Sequence, residues 1–304
     1  MMDTPILFII FNRPEHTQKV FEQIRKQQPK SLFIAADGPR LSNKHDVQLC
    51  DETRKIVSNI DWECNVQTLF HEKNLGCGLA PATAISWFFT QVDEGIILED
   101  DCIPNQSFFG YCKNLLQKYK YNDEVMMICG TSYQPKPLDN NSYYFSKYPH
   151  VWGWATWKSA WEKYNFYLLN ESRAQQATVI NKTFHIKREQ ALWKNNMLMI
   201  ENGLDAWDFQ WMYWMWKNDG LCIIPWKNMI SNIGFGDFAT HTFDQHSIQA
   251  DMENHGIDII YHPKKIENHI KADNYERKTF LIDSFLSHVV FKAKFLIRKL
   301  INLY

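Results

Sequence analysis

The sequence is poor in the features that announce a secreted or membrane protein. Its cysteines number 7, are scattered and form no CxxC pair, so neither a disulfide framework nor a zinc ribbon is indicated and reduced thiols are expected. No charge sign dominates. Lys and Arg total 33 against 34 Asp and Glu, a formal net charge of -1, which leaves no global field to gather nucleic acid. Long apolar runs are missing as well: the first, Ile6 to Phe11, is too short for a signal peptide or a bilayer span and follows an acid rather than basic residues. A cytoplasmic setting is therefore expected. Phosphate loops of the glycine-rich kind are also lacking, since no GxGxxG follows the first apolar run and GxxxxGK[ST] occurs nowhere, which speaks against a dinucleotide fold or a P-loop kinase.

What is plentiful is aromatic: 12 Trp, 13 Tyr and 20 Phe in 304 residues. Trp and Tyr present a flat apolar face beside a polar edge, which suits sugars as well as cores. The length is ample for a large core, and no linker or low-complexity stretch separates the halves, so one continuous domain is expected.

The first half has a rhythm. Apolar runs begin at Ile6, Leu32, Asn65, Gly95 and Glu124, with amphipathic stretches at 16–26, 45–60, 80–92 and 107–119 between them. Strand and helix alternating at about thirty residues per unit predict βαβ units feeding a mostly parallel sheet, its strands covered on both faces. Ligands of such sheets bind outside the carboxyl ends of the strands. The segments there are Asn12-Arg13-Pro14, Asp37-Gly38-Pro39-Arg40, residues 71–78 and Glu99-Asp100-Asp101. The second half is richer in Trp. Residues 150–157 read as a glycine-centred aromatic loop leading into a helix, 184–201 and 205–218 as helices, 221–225 as a strand and 231–236 as a loop.

Three acids ending a buried strand repel one another unless a cation sits among them. Glu99-Asp100-Asp101 therefore suits a hard divalent ion such as Mg²⁺ or Mn²⁺, or else caps a helix N-terminus. Asp208 has two readings as well. It is either the N3 member of an imperfect capping box begun by Asp205, beside a core stripe of Trp207, Trp211 and Trp214, or a general base toward a sugar hydroxyl. His241, in a loop with Asp237 and Asp244, either completes a metal or phosphate shell or is simply solvated. The loop Lys73-Asn74-Leu75-Gly76-Cys77-Gly78 either sets a cation and free amides against a diphosphate or is a plain strand-to-helix turn.

Taken in order, these residues resemble the nucleotide-sugar glycosyltransferases of the GT-A fold, in particular bacterial relatives of the N-acetylglucosaminyltransferase I class. The resemblance runs over roughly residues 5–250 and rests on Arg13, Asp37, Leu98-Glu99-Asp100-Asp101, Trp152-Gly153-Trp154, Trp207-Asp208, and 222–225 through Phe235-Gly236 to His241 and 243–246. It implies an α/β fold with a mostly parallel, Rossmann-like sheet and a helical C-terminal extension. The glycosyltransferase domain would span 1–250, with a nucleotide-sugar half at about 1–130, an acceptor half at about 131–250, and the extension at 251–304.

The roles implied are specific. Asp101 and His241 would hold Mn²⁺ or Mg²⁺ on the diphosphate. Arg13, Asp37, Lys73, Glu99 and Asp100 would bind the donor, with Asp37 near the uracil. Trp154 and Trp207 would face the sugar or acceptor, and Asp208 would be the base of an inverting transfer. Asp208 is followed by Phe209-Gln210 rather than by a second acid, a departure that leaves acceptor choice open. The expected donor is a UDP-sugar, of N-acetylglucosamine or a related hexose, and the acceptor a glycan or lipid-linked glycan of a cell-surface polysaccharide; no nucleic acid is expected. Alternatives are a sugar nucleotidyltransferase and a non-catalytic carbohydrate-binding protein of the same fold. Residues 285–304 carry Lys292, Lys294, Arg298 and Lys299 and no acid, with apolar residues at helical spacing. Such a helix either lies on an anionic bilayer, giving peripheral membrane contact, or packs on protein.

Overall fold

The computed structural model describes residues 2–235, 249–250 and 252–282. Its first half alternates strand and helix: β1 (Ile6–Ile10), α1 (Pro14–Gln27), β2 (Ser31–Ala36), α2 (Asp46–Ser58), β3 (Asn65–Phe70), α3 (Gly76–Gln91), β4 (Glu94–Glu99), β5 (Cys102–Pro104), α4 (Gln106–Tyr119) and β6 (Val125–Cys129). The second half adds β7 (Tyr143–Ser146), β8 (Trp154–Trp157), α5 (Lys158–Trp161), α6 (Arg173–Thr183), α7 (Lys187–Glu201), α8 (Asp208–Lys217), β9 (Leu221–Pro225) and β10 (Ile230–Asn232). Helix α9 (Ile270–Glu276) then runs on as a π-helical segment, Arg277–Ile282.

Eight strands form one sheet in the order β3-β2-β1-β4-β8-β6-β9-β7. The β3-β2-β1-β4 side is parallel throughout, as right-handed βαβ crossovers require. β8 runs antiparallel between β4 and β6, β9 is parallel to β6, and β7 closes the edge antiparallel to β9. Every residue of β1 is buried, and apolar clusters lie on both faces of the sheet. Ile9 pairs with Ala35 and with Glu99, so β1, β2 and β4 end level and release their following loops on one side. This α/β architecture matches the expected class.

Three local expectations need correction. β3 is not covered on both faces: as an edge strand it leaves Val66 and Phe70 exposed. The aromatic stretch 150–157 is only partly loop, because Trp154–Trp157 is a buried central strand before the short helix α5. The turn into it depends on Gly153, whose φ of +61° an L side chain rarely adopts and whose Cβ would strike Ile230. Finally, 231–236 is only partly loop, since β10 pairs with β5 and ties Asn232 to Cys102, next to the acidic triplet.

The segment 252–282 is wired into this body. His269 donates its amide to the Phe145 carbonyl, Ser146 donates to Asp273, and buried His150 meets buried Glu276 at 3.1 Å. Among the described residues no helix is long and apolar enough to cross a membrane. The basic helix expected at 285–304 lies outside the described residues.

Candidate active site

A cavity of about 640 Å³ opens where β1, β2 and β4 end, roofed by residues 204–209 and by Val151 and Trp152. Arg13, Asp37, Glu99, Asp100, Asp101, Trp207 and Asp208 all line it. These seven come from four separate chain segments, three of them at the level ends of β1, β2 and β4 and the fourth at the start of α8. The size falls within the usual range for small-molecule sites.

Charge in the cavity is lopsided. Asp37, Glu99, Asp100, Asp101, Asp205 and Asp208 face it, against Arg13 and Arg40. Burial, then repulsion from Asp101, Asp100 and Asp208, pushes the Glu99 carboxyl up to about 8. Asp100 is pushed up to about 7 by burial, although Arg13 opposes the shift. Arg13 Nη1 donates to Asp101 Oδ2 at 2.7 Å and reaches Asp100 Oδ1 at 3.4 Å. The second oxygen of Asp100 accepts from the Phe11 amide at 3.2 Å, and that of Asp101 faces the Cys102 thiol at 3.3 Å. Arg40 is clamped bidentately on buried Asp46 and lies over the Phe11 ring at 5.2 Å.

Two carboxylates have work that the sequence did not reveal. Asp37 accepts from the amides of Gly38, Leu75 and Gly76 and from Asn74 Nδ2, so it organises the loop before α3. Asp205, expected to cap α8, instead accepts from the amides of Cys77 and Gly78 at the start of α3. The residue before α8 is Trp207, with no side-chain cap. The amides of residues 75–78 are thus held by two acids rather than left for a diphosphate. An anion at a helix N-terminus is favourable, and here the protein supplies it. Lys73 is exposed and does not line the cavity; Asn74 does.

The structure places the two expected aromatic residues differently. Trp207 is on the wall, stacked on Trp154 at 5.6 Å with 21° between planes, while Trp154 is 0% exposed behind it in the core. Trp154 therefore supports the wall, and Trp152, across the Gly153 turn, is the indole that faces the cavity. Trp152, Arg40, Asn74, Asn232 and Gln249 are lining residues that sequence reasoning missed as site residues. A signal existed for Arg40, Asn74, Trp152 and Asn232, which stand in the loops singled out; Gln249 gave none.

A metal ion is not well accommodated by the described residues. No three His, Cys, Asp or Glu among them converge on one point. Their oxygen chemistry suits Mg²⁺ or Mn²⁺, but both oxygens of Asp100 and of Asp101 already meet protein donors. A Cβ at Gly234 would collide with the Asp101 carboxylate, so the chain also closes on that side. His241 lies outside the described residues.

A second cavity, of about 500 Å³, lies among β7, α6, α7, the start of β9 and α9. Several of its polar groups are partnered: Lys182 with Asp219 at 2.6 Å, Tyr148 with Glu189, Lys147 with the Thr183 carbonyl, and Ser146 with Asp273, whose carboxyl burial nonetheless pushes up to about 7.

No protein-family profile matches the chain, and no curated protein does. Solved structures similar to it include a cytidylyltransferase from Leptospira borgpetersenii, at 12% identity and TM-score 0.34 over 54% of this chain and 63% of that one. Others are HddC from Yersinia pseudotuberculosis, at 11% and 0.32 over 53% and 80%, and a UDP-glucose pyrophosphorylase complexed with UDP-glucose, at 14% and 0.27 over 48% and 62%. This chain thus spans less than two thirds of the first of them. The N-acetylglucosaminyltransferase I resemblance finds no support in these neighbours. Their likeness concerns the α/β architecture and carries no further.

Proposed function

We propose that the chain is a glycosyltransferase that moves a sugar from a UDP-sugar to a hydroxyl acceptor. One observation carries this reading: the strand-end acids and Asp208 line one cavity, and the cations among its described lining residues, Arg13 and Arg40, stand in the loops after β1 and β2. Arg13 and Arg40 would face the nucleotide diphosphate, with Glu99 and Asp100 on the ribose and sugar. Asp208, at the first turn of α8 beside the Trp207 wall, would take the proton of the acceptor hydroxyl. As that oxygen bonds to the anomeric carbon, the bond to the diphosphate breaks and its electron pair leaves with UDP. Attack from the face opposite the leaving group inverts the centre.

A sugar nucleotidyltransferase must seat two phosphorylated substrates. Residues 204–209, Val151 and Trp152 offer no Lys or Arg to a sugar phosphate, and the Asp205 and Asp208 carboxylates stand there instead. An uncharged hydroxyl acceptor, such as a glycan or a lipid-linked glycan, fits better. N-acetylglucosamine or a related hexose is the proposed donor sugar. The deciding experiment measures UDP release across several UDP-sugars and acceptors, in parallel with pyrophosphate release from nucleoside triphosphates and sugar phosphates. UDP release supports the proposal. Pyrophosphate release establishes the nucleotidyltransferase, and UDP binding without any turnover leaves a carbohydrate-binding protein.

A further inference from the structure

Resting on that donor-site reading, we infer that the guanidinium of Arg13 is the resident cation of the acidic triplet and neutralises the donor diphosphate in place of a divalent metal. The geometry supplies the reason. Asp100 and Asp101 end at a seat for one positive charge, and Arg13 fills it from the loop after β1, at 2.7 Å from one carboxylate and 3.4 Å from the other. A hard divalent cation needs several oxygens with free lone pairs, typically six ligands including waters for Mg²⁺. Each oxygen of this pair instead meets Arg13, the Phe11 amide or the Cys102 thiol. On the far side, the Ile233 amide donates to the Asp101 carbonyl and Gly234 packs on its carboxylate, so the chain closes on that side.

Arg13 is held but not sealed, since 22% of its side chain is exposed and it lines the cavity. A guanidinium has five N–H donors in a fixed fork, so Nη1 can stay on the acids while other donors face a phosphate. Burial alone would disfavour its charge, but Asp100 and Asp101 overcome that and leave the group more firmly protonated than a free arginine. The other lining arginine, Arg40, is already clamped on Asp46. As UDP departs, the negative charge that develops on its terminal phosphate would meet a cation that needs no recruitment from solvent.

The test titrates UDP into the full chain in excess EDTA and again in Mn²⁺, and separately titrates Mn²⁺ alone, for the wild type, Arg13→Ala and Arg13→Lys. The expected result is wild-type UDP affinity equal within about twofold in EDTA and Mn²⁺, and no Mn²⁺ binding to the wild type. Arg13→Ala should lose about 10–100-fold in UDP affinity in EDTA, the worth of a charge-assisted contact. It should also gain a Mn²⁺ site, because the two acids then lack their cation. Arg13→Lys keeps the charge and should stay insensitive to EDTA. Loss of wild-type UDP binding in EDTA overturns the inference, and so does Mn²⁺ binding the wild type as tightly as Arg13→Ala. Should Arg13→Ala show no cooperative melting transition, the wild-type and Arg13→Lys arms decide. UDP failing to bind under either condition would sink the donor-site reading, whereas the Mn²⁺ titrations would still judge the seat.

Discussion

The two cavities are similar in size but opposite in electrostatic character. In the one among β7, α7 and α9, Lys182 faces Asp219, Tyr148 donates to Glu189, and Ser146 donates to Asp273. The one at the ends of β1, β2 and β4 gathers six acids around two arginines. In the first, most groups get a partner, although burial still pushes the Asp273 carboxyl up to about 7. The second is left unbalanced, and Glu99 holds its proton to about 8 as a result. The strand-end acids thus crowd one cavity, where only Arg13 and Arg40 among the described lining residues oppose them.

The comparison can be broken in several ways. Asp208→Asn is expected to have the largest effect, a turnover loss of about 10²–10⁴-fold with UDP affinity changed by less than about twofold, measured by UDP release and calorimetry. Near-normal turnover would remove the base from Asp208. Next comes the wall. Trp154→Ala should cost about 3–5 kcal/mol in urea unfolding, as for other fully buried indoles, whereas the partly exposed Trp152→Ala should cost about 1 kcal/mol and act chiefly on acceptor KM. Gly153→Ala should destabilise by about 1–3 kcal/mol, because it combines a positive φ with a collision at Ile230. Comparable melting curves for Gly153→Ala and the wild type would show that the turn is not constrained.

The smallest effect concerns pH. In the folded chain Glu99 keeps its proton to about 8, while an unfolded glutamate releases it near 4.5. Between those values the folded state binds more protons, so this contribution to stability is full below the lower value and is lost as pH rises through the upper one. Glu99→Gln removes that slope and should raise Tm at pH 8 by about 2–4 °C, roughly 1 kcal/mol for a chain of this size. Asp273→Asn, whose parent carboxyl is pushed up to about 7 mainly by burial, should flatten the profile over a lower window. A wild-type profile flat from pH 5 to 8 would show that neither carboxyl is perturbed.

Much of this organisation was legible beforehand. Apolar runs and amphipathic stretches placed β1 to β4, β6 and α1 to α4, because a doubly covered strand and a one-sided helix each write their period into the sequence. The rule that ligands bind at strand ends brought Arg13, Asp37 and the acidic triplet to one cavity, whereas Asp208, at a helix start, was placed there only by the resemblance. What stayed hidden was tertiary. Asp205 precedes α8 and reads as its cap, but its carboxylate reaches amides 127 and 128 residues earlier in the chain. Trp152 and Trp154 are chemically alike; only the backbone at Gly153 decides which one faces the cavity. Arg13 read as a nucleotide ligand, and nothing local showed that Asp100 and Asp101 already hold it.

The placement of β8 governs how the polypeptide can be made and cut. On the strand ladder, β6 reaches β4 only through β8, a strand contributed from beyond residue 150. A nascent chain emerging from the ribosome therefore cannot close its sheet after the first 130 residues, and the open flank of β4 must wait for some twenty-five more. Truncation near residue 130 should yield an aggregating fragment rather than a self-standing module, and its failure to refold would show that the two halves of the sheet share one cooperative unit.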